Sequence, residues 1–263
     1  MLGKLLKYDL KWIYKLIGIF YILAFIASVV GRGLASIENS VVFSIISQII
    51  IGFAVSMMVS SLINCLMRTW VRFTRNIYKD ESYLTHTLPV EKKVIYASKV
   101  LAAIICTFTT ILVIIACLFI CYYSKANLQV LKSILELAAS TYDTTVLNLL
   151  LLLAITLFVE ILFIILIGFV GIILGHKSNK NKMAKSIIIG FILYTITQVV
   201  TLGVIGIVGL VDSSIMNLIN TTDIIDINAV KNVIYLAIGI YAVYVIFYYV
   251  FGKKQFEKGV NVE

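Results

Sequence analysis

The sequence predicts an all-α membrane protein with six transmembrane helices. The chain has 263 residues, of which 61% are hydrophobic, and its mean hydropathy is +1.05. A helix needs about 20 apolar residues to cross the hydrocarbon core of a bilayer. Six apolar segments are near or above that length, and they cover residues 13–30, 41–67, 94–123, 146–174, 186–211 and 233–252.

The basic residues predict how these spans are oriented. Of the 22 Lys and Arg residues, 18 lie on one side of the six spans and four on the other. Because Lys and Arg accumulate in cytoplasmic loops, both termini are expected in the cytoplasm. Every basic cluster is short and adjoins a span, so the net charge of +9 does not indicate a nucleic-acid-binding domain. The expected location is the cell membrane, with multiple passes, and the rich Ile, Lys and Asn usage indicates a bacterial plasma membrane.

Residues 2–15 have the pattern of a basic amphipathic helix. Such a helix is typical of segments that lie flat at the cytoplasmic lipid surface before the first span. The alternative is a cytoplasmic extension of that span. Four lysines share one face and four apolar residues the opposite face: Lys4, Lys7, Lys11 and Lys15 against Leu2, Leu6, Leu10 and Ile13.

The second span carries small and polar residues at every fourth position. Lipid disfavours Gln48 and Asn64, so this ridge should face protein or water. It either lines a translocation path or packs against another helix. The predicted path consists of Gln48, Ser56, Ser60 and Asn64 in span 2, Glu160 in span 4 and Gln198 in span 5.

Glu160 is the ionisable residue nearest the middle of a span. Intramembrane acids are costly and usually face the interior of the bundle. Glu160 could bind a cationic substrate group or carry a proton. It could instead be a neutral acid hydrogen-bonded to a neighbouring helix, which is the interpretation that the sequence favours. Gly168, Gly171 and Gly175 in the same span indicate close helix packing.

The remainder of the chain consists of short connections, so residues 1–263 are expected to form a single transmembrane domain. The outer segment 124–145 has the periodicity of an amphipathic helix, and the outer segment 212–232 is interpreted as a short helix or a re-entrant turn. All four cysteines lie in spans, so no disulfide is expected. Zinc-protease, nucleophile-elbow and phosphate-loop motifs are absent. We therefore predict no catalytic residue, metal site or cofactor, and no enzymatic activity.

The largest cytoplasmic segment, residues 68–99, holds the only proline, Pro89. A proline there separates a short helix from the following span. Tyr83, Leu84 and Leu88 are apolar anchors that a free loop would not need. The length of the segment predicts a short helix crossing the membrane face, and the alternative is a merely solvated loop.

The same segment resembles the cytoplasmic loop of ABC type-2 permeases. The resemblance is carried by the runs ESYLT (81–85) and TLPV (87–90), followed by YASK (96–99) at the start of the next span. It covers the whole chain in architecture, but only this loop in individual residues. In that family the loop is a coupling helix that docks in a groove of a separate ATPase subunit. The residues implied at this contact are Asp80, Glu81, Tyr83, Leu84, His86, Leu88 and Pro89.

This resemblance implies the membrane subunit of an ATP-driven exporter. Its substrate would be amphipathic or hydrophobic, such as a peptide, an antibiotic or a lipid. The implied partners are an ATPase subunit, which carries ATP and Mg, a second permease chain, identical or not, and membrane lipids. Two alternatives stay open: a membrane interaction or sensor subunit that transports nothing, and an ion-coupled carrier that uses Glu160.

Overall fold

Helices make up nearly all of the structure, a computed structural model that describes residues 1–37, 40–141, 144–211 and 227–259. This described part of the chain contains no strand. Its eight helices are α1 (Leu2–Ala35), α2 (Val41–Ile77), α3 (Ser82–Thr87), α4 (Lys92–Tyr122), α5 (Lys125–Thr141), α6 (Val146–Gly175), α7 (Lys182–Val211) and α8 (Ile227–Glu257).

Six of these helices are long and apolar enough to cross a membrane: α1, α2, α4, α6, α7 and α8. The six-span prediction is therefore confirmed at the level of length and composition. The short helix expected within residues 68–99 is α3, and Pro89 lies between its end at Thr87 and the start of α4. The helix expected in the first outer segment is α5. Of the second outer segment, residues 212–226 lie outside the described residues, and the rest belongs to the start of α8.

The chain divides into two compact units, Met1–Val130 and Leu131–Glu263. Each unit contains three of the six long helices: α1, α2 and α4 in the first, and α6, α7 and α8 in the second. The described residues thus group into two helical bundles, and the single transmembrane domain stays a prediction.

In the N-terminal unit, α1 packs against both α2 and α4. Polar groups on the packed faces are satisfied within the bundle, because the Tyr14 hydroxyl lies 2.6 Å from Thr109 Oγ1 and the Tyr21 hydroxyl 2.6 Å from Thr110 Oγ1. Such hydrogen bonds hold helices together where no water is available. Two apolar layers fill the core: Ile13, Ile17, Cys65, Ala102 and Cys106 in one, and Ala24, Ala27, Ala54, Met58, Cys117 and Cys121 in the other.

The structure does not confirm the separate interfacial helix expected at residues 2–15. These residues are the first turns of α1, which runs unbroken to Ala35. Leu6 and Leu10 pack towards the core layer that contains Ile13, and so are turned to neighbouring helices. The apolar face that suggested a lipid contact is used for helix packing, and the segment is an extension of the first span.

In the C-terminal unit, α6 packs against both α7 and α8. The fully buried ring of Phe163 on α6 is the centre of this contact. Its ring centroid lies 5.1 Å from that of Tyr241 and 5.7 Å from that of Tyr244. The Tyr248 hydroxyl lies 2.8 Å from Thr197 Oγ1, which ties α8 to α7.

Two glycines of α6 allow α7 to approach closely. A Cβ atom added at Gly171 would lie 2.9 Å from both Gly190 Cα and Ser186 O. One added at Gly175 would overlap the backbone and side chain of Ser186. The packing role predicted for these two glycines is confirmed, because only a residue without Cβ fits against the backbone of α7.

We predict that Gly171→Ala lowers the free energy of unfolding by about 1–3 kcal/mol, because the added methyl group overpacks the α6–α7 contact. Thermal unfolding of the detergent-solubilised protein measures this effect. Gly190→Ala is the matched control: it lies at the same contact, but its own Cβ would have no neighbour within 4 Å. If the two variants unfold at the same temperature, the close approach does not depend on Gly171.

Candidate functional site

The helices α1 and α2 are longer than a membrane crossing requires. They contain 34 and 37 residues, which corresponds to about 51 and 55 Å at 1.5 Å per residue. The hydrocarbon core is about 30 Å thick. Their polar ends meet the start of α4 on the side that the sequence assigns to the cytoplasm. We call this polar end, residues 2–12, 68–77 and 92–99, the stalk.

A buried carboxylate, that of Asp9, lies at the centre of the stalk. Its side chain is 2% exposed. Asp9 Oδ1 accepts hydrogen bonds from Arg72 Nε at 2.8 Å and from Lys99 Nζ at 2.6 Å. Its second oxygen, Oδ2, accepts one from Ser98 Oγ at 3.0 Å. One side chain of α1 therefore binds α2 and α4 simultaneously.

Arg72 extends this ion pair to the connection that carries α3. Its Nη1 donates to Glu81 Oε2 at 2.6 Å, and Asn76 Nδ2 donates to the same oxygen at 3.0 Å. On its other side the guanidinium lies 5.5 Å from the ring centroid of Trp12. Two cations and two carboxylates are thus joined in one connected set, which we call the stalk network: Asp9, Arg72, Glu81 and Lys99.

The charge state of Glu81 follows from its neighbours. Partial burial opposes its ionisation, but the hydrogen bond from Asn76 and the positive charges of Arg72 and Arg75 outweigh that effect. Together they hold the pKa of the Glu81 carboxyl below its ordinary value. Glu81 is therefore an anion at neutral pH, as its pairing with Arg72 requires.

The short helix α3 has its polar side inwards and its apolar side outwards. Ser82 and Thr85 are buried, and His86 Nε2 lies 3.1 Å from the Ile77 carbonyl oxygen. On the other side, Tyr83 is 77% and Leu84 67% exposed. This polarity is the reverse of that of a surface helix of a soluble protein, which buries its apolar stripe.

The seven predicted partner-contact residues fall into two groups. Glu81 and His86 point towards α2 and hold α3 in place. The other five are exposed, although Asp80 also forms an ion pair with Arg75 at 3.2 Å. These exposed residues are Asp80, Tyr83, Leu84, Leu88 and Pro89.

The six predicted translocation-path residues lie in both units. Gln48 and Ser56 are exposed on α2, and Ser60 and Asn64 are half-buried on the same face. This face of α2 is not the one that packs against α1 and α4. In the C-terminal unit, Gln198 Nε2 on α7 donates to the Tyr241 hydroxyl at 3.4 Å. A role in translocation stays a prediction for all six.

The sixth of these residues, Glu160, lies at the middle of α6 and is half-buried. Within the described ranges it forms no ion pair and no hydrogen bond through its side chain. The predicted hydrogen bond to a neighbouring helix is therefore not present among these residues. The choice between a structural and a functional Glu160 stays open.

Sequence reasoning missed the centre of the stalk network. It treated Arg72 and Lys99 as topology signals and did not single out Asp9. The signal was present, since Asp9 shares a helical face with Leu2, Leu6 and Ile13. A single carboxylate on the apolar face of a basic helix is best explained by burial against a cation.

Comparison with known proteins adds no assignment: no family model, no curated protein and no solved structure matches the chain.

We predict that Asp9→Asn lowers the free energy of unfolding by about 3–5 kcal/mol, because it leaves the buried Lys99 ammonium without its carboxylate and removes one of the two carboxylates that bind Arg72. Thermal and denaturant unfolding of the purified protein measure the loss. The matched control is Asp80→Asn, which removes a carboxylate whose side chain is 70% exposed and should cost less than about 1 kcal/mol. Combining Asp9→Asn with Lys99→Met removes one stranded cation and should restore part of the stability. Equal losses for the two single variants would contradict this account.

We also predict a pH dependence of the attachment of α3. Because folding lowers the pKa of Glu81, its ionised carboxylate stabilises the folded state at pH values above its ordinary pKa of 4.5. This stabilisation is lost as the pH falls through the lowered pKa. Amide hydrogen exchange of α3, corrected for intrinsic rates, should be constant between neutral pH and pH 5 and accelerate in more acidic buffer. If Glu81→Gln shows the same acceleration of exchange at acidic pH, another group is responsible.

Proposed function

We propose that the chain is the membrane-spanning permease subunit of an ATP-driven exporter of the ABC type-2 kind. In this proposal a separate ATPase subunit docks on α3 and supplies the energy. Two permease chains, identical or not, together form the path for an amphipathic or hydrophobic substrate such as a peptide, an antibiotic or a lipid.

The observation that carries the proposal is the outward apolar face of α3. Tyr83, Leu84 and Leu88 are 77%, 67% and 42% exposed. Burying such a side chain stabilises a complex or a fold by about 1.5–3 kcal/mol. Because α3 turns its polar residues inwards, its apolar side chains are not buried within the chain. Their burial can instead stabilise a complex with a partner. Contiguous apolar surface exposed to water is typical of docking sites, and Tyr83, Leu84 and Leu88 lie close together in the chain.

The stalk network supports a coupling role for this docking site. Arg72 is bonded to Glu81 beside α3 and to Asp9 in α1, and Asp9 is bonded to Lys99 in α4. A force applied to α3 therefore reaches three helices through short ion pairs. Loops that transmit the closure of an ATPase need such a stiff attachment, because a flexible linker would absorb the movement.

The test replaces the outward anchors. Tyr83→Ala combined with Leu88→Ala should weaken recovery of a soluble partner that contains a phosphate-binding loop. Each anchor at a contact hot spot contributes about 1–3 kcal/mol, so the complex should weaken about tenfold or more. Pull-down from membranes at equal expression, with ATP hydrolysis assayed in the eluate and the partner identified by mass spectrometry, measures the effect.

The matched control replaces two residues of similar exposure outside α3. Tyr8 is 65% and Met183 45% exposed, and both lie on the side that the sequence assigns to the cytoplasm. Tyr8→Ala combined with Met183→Ala should leave recovery of the ATPase unchanged. Equal recovery by wild type and the α3 variant would remove α3 as the docking site. Recovery of no ATPase by wild type would favour the sensor alternative.

A further inference from the structure

We propose that Cys65 and Cys106 form a reversible modification site, at which oxidation joins α2 to α4 through a disulfide. In the structure all four cysteines are free thiols. The Sγ atoms of Cys65 and Cys106 nevertheless lie only 3.1 Å apart. They come from two different helices and from positions 41 residues apart in the sequence. The inference does not depend on the proposed function.

The pair is held in position by the core of the N-terminal unit. Both side chains are 0% exposed, and they share an apolar layer with Ile13, Ile17 and Ala102. A disulfide has a sulfur–sulfur distance of about 2.05 Å, so the two sulfurs need to approach by about one ångström. Helix packing has therefore already paired the two groups, and oxidation needs only a small adjustment.

The two thiols are better suited to form a disulfide than to bind a metal. Most protein metal sites with thiolate ligands use three or four donor groups. No group of three or more His, Cys, Asp or Glu side chains that could hold a metal occurs in the described residues. The further neighbour of Cys65 Sγ is a hydroxyl, Thr107 Oγ1, at 3.9 Å. Two thiols and a distant hydroxyl favour sulfur–sulfur chemistry.

The co-reactant is hydrogen peroxide, a small neutral oxidant. One cysteine reacts with hydrogen peroxide to give a sulfenic acid and one water. The second thiol then attacks the sulfenic sulfur, forms the sulfur–sulfur bond and releases a second water. Two thiols are oxidised and one peroxide is reduced to two waters. A dithiol reductant reverses the reaction.

The covalent bond would close a ring of residues 65–106. This ring contains the end of α2, all of α3 and the start of α4. The two helices that carry α3 could then not separate at the level of the pair. Oxidation would thus fix the base of the stalk, whatever binds to its tip.

The other two cysteines provide an internal control. Cys117 and Cys121 are buried in a separate core layer. Both belong to α4, four residues apart, so a bond between them would join no two helices. Their thiols should survive oxidation conditions that link Cys65 to Cys106.

The experiment treats the full-length protein in membrane vesicles with hydrogen peroxide and quenches it with N-ethylmaleimide in denaturant. Peptide mapping by mass spectrometry should then show that two of the four cysteines no longer react with the maleimide. It should also show a linked peptide containing Cys65 and Cys106, lighter by two hydrogens than the sum of the free peptides. Dithiothreitol before the quench should restore all four thiols.

Two variants test which cysteines form the link. Combining Cys117→Ser with Cys121→Ser should leave the linked peptide unchanged, whereas Cys65→Ser should abolish it. The wild-type peptide map decides the question if Cys65→Ser fails to fold. Survival of all four thiols, a sulfinic acid on either member of the pair without a link, or a link that involves Cys117 or Cys121 would overturn the proposal.

Discussion

The N-terminal half of the molecule depends on one buried carboxylate. Asp9 accepts hydrogen bonds from α2 and from α4 within 3.0 Å, so three helices meet at a single side chain. An uncompensated charge in such a position would be strongly destabilising, and its burial is tolerated only because cations contact it directly. The geometry of the stalk is therefore specified by ion pairing, whereas the membrane-embedded layers are specified by apolar packing.

The outward orientation of the apolar face of α3 follows from these ion pairs. Glu81 is ionised because Arg72 and Asn76 bind it, and its position fixes the start of α3. Once Glu81 and His86 are bonded to α2, the apolar residues of α3 have no interior to enter. The exposed surface of α3 is thus a consequence of how its inner face is held. This arrangement gives the proposed docking site a defined orientation before any partner binds.

The six long helices were predictable from the sequence because length and apolar composition alone decide whether a helix can span a bilayer. The separation of α3 from α4 was predictable because Pro89 lies between the two helices. The interfacial helix, which is not confirmed, shows where such reasoning stops. A stripe containing Leu6 and Leu10 has the same periodicity whether it faces lipid or another helix, and only tertiary packing distinguishes the two.

The candidate site was predictable in part for the same reason. Local sequence predicted Tyr83 and Leu84 as contact anchors, and the structure shows that both are exposed; the anchor role stays a prediction. The sequence did not indicate that Glu81 and His86 point inwards, because their partners lie in α2 and the stalk network. The ridge on α2 was correctly placed on one helical face, but the exposure of Gln48 depends on where α1 and α4 pack. Asp9 contacts Arg72 and Lys99, which lie 63 and 90 positions further along the chain. Such long-range contacts produce no periodic pattern in a single sequence.

The position of Asp9 in the chain also sets an order of events during synthesis. Its partners in α2 and α4 leave the ribosome 63 and 90 residues later. At about 5–20 residues per second, the carboxylate remains without Lys99 for on the order of five to twenty seconds. During that interval the first helix cannot complete its native contacts, although its span is already long enough to insert. The third long helix is therefore needed to complete the N-terminal bundle, and it precedes the whole of the second bundle in the chain.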